Sequence, residues 1–431
     1  PIALLSHWNL RDELKSNYVV GDEAMRRFGK EKQELIYQVM LRIIRQEIPN
    51  CVINNDQLLW CPTTNIVSGN PNSNIKLKVD VSREPDTRYQ QIINIFHTLQ
   101  AIDLYRRDVP SHVLRTFNED LQIPLEEIES LFIQLIQSEE VKQVAGIIRE
   151  RLGRDLRPYD IWYDGFKSRS SISEDVLTAE TQKRYPDVKA FERDMPRMLM
   201  ELGFTPAKAQ AVASRIVVEA ARGSGHARPC VGREQPARLR TRVGNQGMDY
   251  KGYNIAVHEF GHNVEQTIDL YNIDHYTLSG VPNTGFTEAL AFVFQKRDLQ
   301  LLGYNQQVDD NTTLDIFWGL YEIMGVSLVD MYMWQWLYAH PDATASELKD
   351  ATVAIAKDVW NKYYYPVLGE KDSSILACYS HMVNAAMYLP NYPLGHIIEF
   401  QLEEYLAQLP NKQAFANEIM RIYKFENIFI C

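Results

Sequence analysis

The chain has 431 residues, 45% hydrophobic and 23% charged, a balance that supports a large core and most simply two subdomains. A formal net charge of −11 argues against nucleic acid or an anionic membrane surface as partner. No run of about 18 apolar residues is present to span a bilayer.

Helical periodicity dominates the N-terminal part. The stretch DEAMRRFGKEKQELIYQVMLRIIRQ reads as one long amphipathic helix with Met25, Phe28, Leu35, Val39 and Ile43 on its apolar side. Residues 50 to 88 mix short β-prone runs with Asn, Pro, Gly and Ser, and read as a strand-and-loop insertion. Helical patterns return at YQQIINIFHTLQAIDLYRR and LEEIESLFIQLIQSEEVKQVAGIIRERL. The turn-rich, aromatic stretch from Gly153 to Asp175 marks the expected boundary between an N-terminal helical region, 1–155, and a region 156–431. Beyond it, VKAFERDMPRMLMELG and TPAKAQAVASRIVVEAA read as helices, followed by an irregular basic segment from Arg222 to Gly247. The final third is helical again, with a capping box at Thr344 and Glu347.

Five cysteines (Cys51, Cys61, Cys230, Cys378, Cys431) are odd in number and lack CxxC spacing, so neither a disulfide framework nor a thiolate metal site is expected. Their usage favours reducing, cytoplasmic surroundings, with export left open. The opening residues PIALLSHWNL carry no basic stretch followed by an apolar one, so they do not read as a signal peptide.

The chemistry is concentrated in AVHEFGHNVEQ, Ala256 to Gln266. Side chains four apart on a helix stack on one face, so His258 and His262 could grip one metal ion. Glu259, about 100° further round, would reach the open side of that metal as a general base. Asp249 is a fitting N-cap, and Tyr253, Val257, Phe260, Val264 and Ile268 recur at three- or four-residue steps as a buried stripe. Gly261 costs such a helix about 1 kcal/mol against Ala, and reads as a place where a neighbouring element approaches closely.

A catalytic zinc takes three protein ligands and leaves a fourth position for water. Glu288, opening the helical pattern NTGFTEALAFVFQ, is the favoured third ligand, and His275 is the rival.

HEFGH followed by GFTEALAF resembles the glutamate-zinc peptidases of the thimet oligopeptidase and angiotensin-converting enzyme group. The likeness spans roughly 222–406, and includes the basic run and GMDYKGYNIAVHEFGH before the motif. It implies one zinc ion held by His258, His262 and Glu288, with Glu259 as base. It also implies a mainly α fold, with two helical lobes flanking a deep substrate channel and a small sheet beside the motif helix. One position departs from the pattern. Some of these peptidases carry an acidic residue four after the third ligand, which orients a zinc histidine; here Phe292 stands there, and the orienting group must differ.

Hydrolysis of a peptide also needs donors for the oxyanion. In CYSHMVNAAMYLPNYPLGHIIEFQLEEYL, the resemblance places Tyr392 at the oxyanion-stabilising tyrosine and His381 near the substrate-binding histidine, with Tyr388 as a further candidate. Tyr392 follows the turn-like YLPN and precedes Pro393 and Gly395. An extended substrate needs an exposed strand edge, for which GSGHARPC is the candidate, through Gly225, His226 and Ala227.

The expected activity is zinc-dependent hydrolysis of oligopeptides. Two other readings compete: a peptide-binding module whose zinc site has lost activity, and a zinc hydrolase acting on a non-peptide amide.

Overall fold

The computed structural model describes residues 7–18, 23–55, 57–69, 81–166, 172–221, 225–230, 232–274, 279–281, 283–304 and 310–426. The fold is mainly α. In chain order its principal elements begin with α1 (His7–Ser16), α2 (Glu23–Arg45), β1 (Leu58–Cys61), β2 (Ile66–Gly69), α3 (Thr87–Asp103), α4 (Leu125–Ile136) and α5 (Glu139–Leu152). They continue with α6 (Glu174–Arg184), α7 (Val188–Glu201), α8 (Pro206–Ala213), β3 (Ile216–Ala220), β4 (His226–Arg228), β5 (Ala237–Thr241) and α9 (Tyr250–Asn272). The rest are β6 (Ser279–Gly280), α10 (Gly285–Gln295), α11 (Asp298–Leu302), α12 (Asp310–Ala339), α13 (Ala345–Val359), α14 (Asn391–Leu406), α15 (Lys412–Ile422) and β7 (Phe425–Glu426). No described helix is long and apolar enough to cross a membrane.

Two compact units emerge. The first is Pro1–Glu119, Ile123–Lys167 and Asp310–Pro390; the second is Asp120–Gln122, Ser168–Asp309 and Asn391–Cys431. The break after Lys167 falls inside the turn-rich stretch expected to divide the chain, but the chain re-enters the first unit at Asp310. One cut between 155 and 156 therefore does not describe the grouping.

In the first unit α12 is the central helix. Trp318, Tyr321, Met324, Leu328, Met331 and Trp334 are buried around it, and it packs on α4 and α13. The capping box of α13 is formed: Thr344 Oγ1 accepts from the Glu347 amide, and Glu347 accepts from the Thr344 amide. The insertion folds as the antiparallel hairpin β1–β2. The buried stripe of α2 agrees with the expected one at Ile43 and departs from it elsewhere: Gln33, Tyr37, Met40 and Ile44 line it, Leu35 is 45% exposed, and the side chains of Met25 and Phe28 lie outside those described. Tyr37 faces inward because its hydroxyl finds a partner in Ser373 Oγ at 2.8 Å, so an amphipathic ring outcompetes a leucine for the core.

The second unit is built around α9, against which α10 and β5 pack, and α14 covers α10. Its three-stranded sheet has the order β3–β5–β4, with β3 parallel and β4 antiparallel to β5. This is the small sheet expected beside the motif helix. The run read as one helix, TPAKAQAVASRIVVEAA, divides instead into α8 and β3. Ile216, Val217 and Val218 are consecutive β-branched residues, which lose little rotamer freedom in a strand and fit its pleat. The core joins Tyr253, Val257, Phe260, Val264 and Ile268 of α9 to Leu290, Val293 and Phe294 of α10, Phe191 and Met195 of α7, and Leu239 of β5.

Candidate metal centre

Helix α9 starts where its sequence says it should. The Asp249 carboxylate caps it, accepting from the Gly252 amide at 2.7 Å. With the apolar stripe turned into the core, His258 and His262 are left on another face, ring centroids 4.8 Å apart and nearly perpendicular. Glu288 lies in the first turn of α10 and turns its carboxylate to both. His258 Nε2 and His262 Nε2 stand 3.6 and 3.7 Å from Glu288 Oε2. These separations are too long for hydrogen bonds. They match the spacing of about 3.4 Å between ligand atoms on a tetrahedral zinc with 2.0–2.2 Å bonds. Among the described residues this is the one group of three His, Cys, Asp or Glu side chains that could hold a metal ion.

Three glycines make the convergence possible. A Cβ on Gly261 would stand 2.6 Å from the Ala291 Cα, so only glycine lets α9 and α10 touch backbone to backbone beside His262 and Glu288. A Cβ on Gly395 would stand 2.4 Å from the Glu288 Cβ, which lets α14 lie against the same carboxylate. At Gly225 a Cβ would meet Ile255 at 2.2 Å and Glu259 Cγ at 3.4 Å, so the chain entering β4 runs directly over α9.

Burial governs the charges. It pushes His258 down to about 4, helped by the neighbouring His262 and opposed by Glu288 and Gln295. It pushes His262 to about 4 as well, with His226 acting in the same direction and the Thr287 backbone carbonyl opposing. Both imidazoles are thus neutral near pH 7, the form that offers a lone pair to a metal. Glu259 is pushed up to about 8 by burial and by the Glu288 charge, against a hydrogen bond from the Ala227 backbone N–H.

The residues singled out in the sequence fall as follows. His258, Glu259, His262 and Glu288 lie together, with Gly225, His226 and Ala227 beside them in or next to β4, one of the two edge strands of its sheet. His275 lies outside the described residues. Tyr392, half-buried, sits inside the first turn of α14 rather than ahead of the helix. The turn at YLPN ends one residue earlier than its Pro393 and Gly395 suggest, because Pro is well tolerated in a first turn. His381 and Tyr388, also half-buried, belong to the first unit, with His381 opening a short helical turn, His381–Asn384.

Four residues were not singled out. Gln295 ends α10 and its Oε1 stands 3.1 Å from His258 Nδ1. Asn254 and Asp298 continue from it in a hydrogen-bonded row. His396 of α14 stacks on Phe292 at 3.7 Å, and Phe292 in turn lies 5.2 Å from the His258 ring. The spacing of Asn254 one turn before His258 was the only available signal, and by itself it is unremarkable in a helix.

No protein-family model and no curated protein matches this chain. Solved structures do resemble it at low identity. One from Chlamydophila abortus, described provisionally as a peptidase, is 12% identical, with a TM-score of 0.49, covering 99% of this chain and 74% of that one. The M32 carboxypeptidase of Deinococcus radiodurans R1 is 13% identical, with a TM-score of 0.41, covering 97% and 89%. A carboxypeptidase of Pyrococcus furiosus is 12% identical, with a TM-score of 0.33, covering 97% and 89%. With every one of these TM-scores below 0.5, the chemistry of the site has to be read from this chain's own side chains.

Proposed function

We propose that this chain is a zinc-dependent metallopeptidase that hydrolyses peptide bonds of oligopeptides. The observation that carries the reading is the convergence of two neutral imidazoles and one buried carboxylate, their ligand atoms all within 4.8 Å of one another, with a second buried carboxylate next in sequence to the first imidazole. Two nitrogens and one oxygen are a donor set suited to zinc, and three protein ligands leave room for a fourth, reactive position. The bound ion would supply polarisation of the scissile carbonyl and acidification of water.

The protein's own residues then do the rest. A cation held beside it would favour the charged form of Glu259, whose carboxyl burial otherwise raises to about 8, and as a carboxylate Glu259 would take the proton of the attacking water and hand it to the leaving amine. The Ala227 backbone N–H of β4 favours the charged form of this carboxylate. As an edge strand, β4 has one side unpaired by any other strand among the described residues, where an extended peptide could add. It is three residues long, which suits a short segment of substrate. His226 and Ala227 are the positions that would meet substrate, and the Cβ-free Gly225 keeps that approach close. Tyr392, on the helix that abuts Glu288, is the proposed oxyanion donor.

Metal analysis together with cleavage of a quenched peptide library, with and without chelator, tests this reading. The expected result is about one zinc per chain and chelator-sensitive cleavage. In Glu259→Gln zinc is retained while turnover falls by a factor of about 10³ or more, because an amide cannot move the proton. Zinc with no cleavage of any peptide would favour a binding module or an amide hydrolase of another class. More than a few per cent of activity in Glu259→Gln would take the base role away from it.

A further inference from the structure

The ring of His258 is useful to a metal only if Nε2 carries the lone pair, so its proton must sit on Nδ1. Nδ1 faces Gln295 Oε1 at 3.1 Å. An amide can present either its oxygen or its NH2, so Gln295 alone does not decide where that proton goes. The rest of the row does. Gln295 Nε2 donates to Asn254 Oδ1 at 2.8 Å, and Asn254 Nδ2 donates to Asp298 Oδ2 at 2.7 Å. Asp298 also accepts from the Tyr250 hydroxyl at 2.6 Å and, through Oδ1, from the Leu299 amide at 2.6 Å. A carboxylate can only accept. It therefore fixes Asn254 with its NH2 inward, which fixes Gln295 with its oxygen toward His258, which fixes the proton on Nδ1.

We infer that Asp298, three hydrogen bonds from His258, sets the tautomer of that histidine through Asn254 and Gln295, which makes the three of them positioning residues for the metal centre. The row does the work of the acidic residue that stands one turn after the third ligand in some glutamate-zinc peptidases, where this chain has Phe292. Gln295 lies one further turn along α10, and the negative charge has been moved away from the ring to the start of α11. The inference rests on His258 being a metal ligand. It does not depend on what the enzyme cleaves.

The test is a double-mutant cycle between the two ends of the row. In Asp298→Asn the terminal group can donate as well as accept, so Asn254 and Gln295 are free to turn over. In Gln295→Glu two acceptors meet at Asn254 unless Asn254 turns, which then sets its oxygen against Asp298. With both substitutions every bond can be remade, the two made by Asn254 in reverse and the one from His258 in its original direction. The new carboxylate accepts from His258 and from Asn254, whose oxygen accepts from the new amide, and the Tyr250 hydroxyl can accept where it had donated.

Two readouts are taken: the 15N shifts of His258 in chelator-stripped protein, and zinc affinity by competition with a chromophoric chelator. The wild type is expected to show a single tautomer with Nδ1 protonated. Asp298→Asn is expected to show a mixture and to bind zinc about tenfold more weakly, in the range seen when outer-shell partners are removed. The same substitution in the Gln295→Glu background is expected to restore the single tautomer and leave zinc affinity equal or better. If Asp298→Asn does not fold, Asn254→Ala cuts the row in the middle and is expected to give the same mixed tautomer. An effect of Asp298→Asn that is the same in both backgrounds, or a tautomer unmoved by cutting the row, would overturn the inference. Should the wild type bind no zinc, the metal reading falls, and the 15N shifts still decide the relay.

Discussion

Gly261 of α9 lies so close to Ala291 of α10 that a Cβ added to it would be 2.6 Å from the Ala291 Cα and 3.0 Å from the Leu290 carbonyl oxygen. Both obstacles are backbone, which cannot swing away as a flexible side chain can. Gly261→Ala should push α10, and Glu288 with it, away from the two imidazoles. The expected cost is about 1–3 kcal/mol of stability, typical of overpacking, with a loss of metal affinity on top. Urea unfolding and a zinc titration measure the two effects. A variant that binds zinc like the wild type would mean that this contact does not set the distance between the ligands.

Alanine at His258, His262 or Glu288 should remove bound metal and turnover together, because three ligands are the least that a tight catalytic site tolerates. Glu288→Ala is the informative member of the set. Full metal occupancy in that variant would point to His275 as the third ligand, and the spacing of Glu288 from the imidazoles would need another explanation.

A pH effect follows from the first unit. Asp330 is fully buried in α12, with neither carboxylate oxygen hydrogen-bonded among the described residues, and burial pushes its carboxyl from 3.8 up to about 8. The folded state therefore holds a proton that the unfolded chain releases near pH 4. Stability from this group is complete below pH 4, falls by about 1.4 kcal/mol per pH unit between 4 and 8, and levels off above 8. Asp330→Asn should flatten that fall. Urea unfolding at pH 5 and pH 8 should show the wild type losing up to about 4 kcal/mol more than the variant over those three units. Parallel losses in the two proteins would show that Asp330 ionises without penalty.

The local signals in the sequence were readable, and the long-range ones were not. The cap at Asp249, the buried stripe of α9 and the close approach at Gly261 are each set by neighbours within a few turns, and each can be seen in the spacing of residues. That Glu288 comes to face the two imidazoles was legible because a second helix opening on a glutamate is also a local pattern. The β3 run lost its identity by following α8 without a Gly or Pro between them, so its three β-branched residues read as the tail of a helix. Leu35 was placed inward on hydrophobicity alone, whereas the core chose Tyr37 for a hydroxyl contact with a residue more than 300 positions away. Gln295, Asn254 and Asp298 were silent for the same reason. An amide carries no signature of the partner it will meet until the fold brings α9 and α10 together.

Tyr392 is the riskiest assignment, and its place on α14 gives it a physical basis. Helix periodicity puts Tyr392, Gly395, His396 and Glu399 on one face. Three of these meet α10 or the residue that caps it: Gly395 against Glu288, His396 stacked on Phe292, and Glu399 accepting from the C-cap Lys296 Nζ at 3.0 Å. The first turn is tied to the start of α10 as well, through Thr284 Oγ1 donating to Asn391 Oδ1 at 2.7 Å. Tyr392 thus belongs to the row of side chains that runs along the end of α10 carrying Glu288. If its hydroxyl donates to the oxyanion, Tyr392→Phe removes one preorganised hydrogen bond that matters mainly in the transition state. The expected loss is about 10² to 10³ in kcat, with KM and zinc content nearly unchanged. Tyr388→Phe, in the first unit, is the comparison and is expected to cost much less. A large effect at Tyr388 with none at Tyr392 would move the donor to the other tyrosine and leave the metal ligands as they are. No effect at either would place the oxyanion donors outside this segment, with His226 of β4 the next side chain to replace.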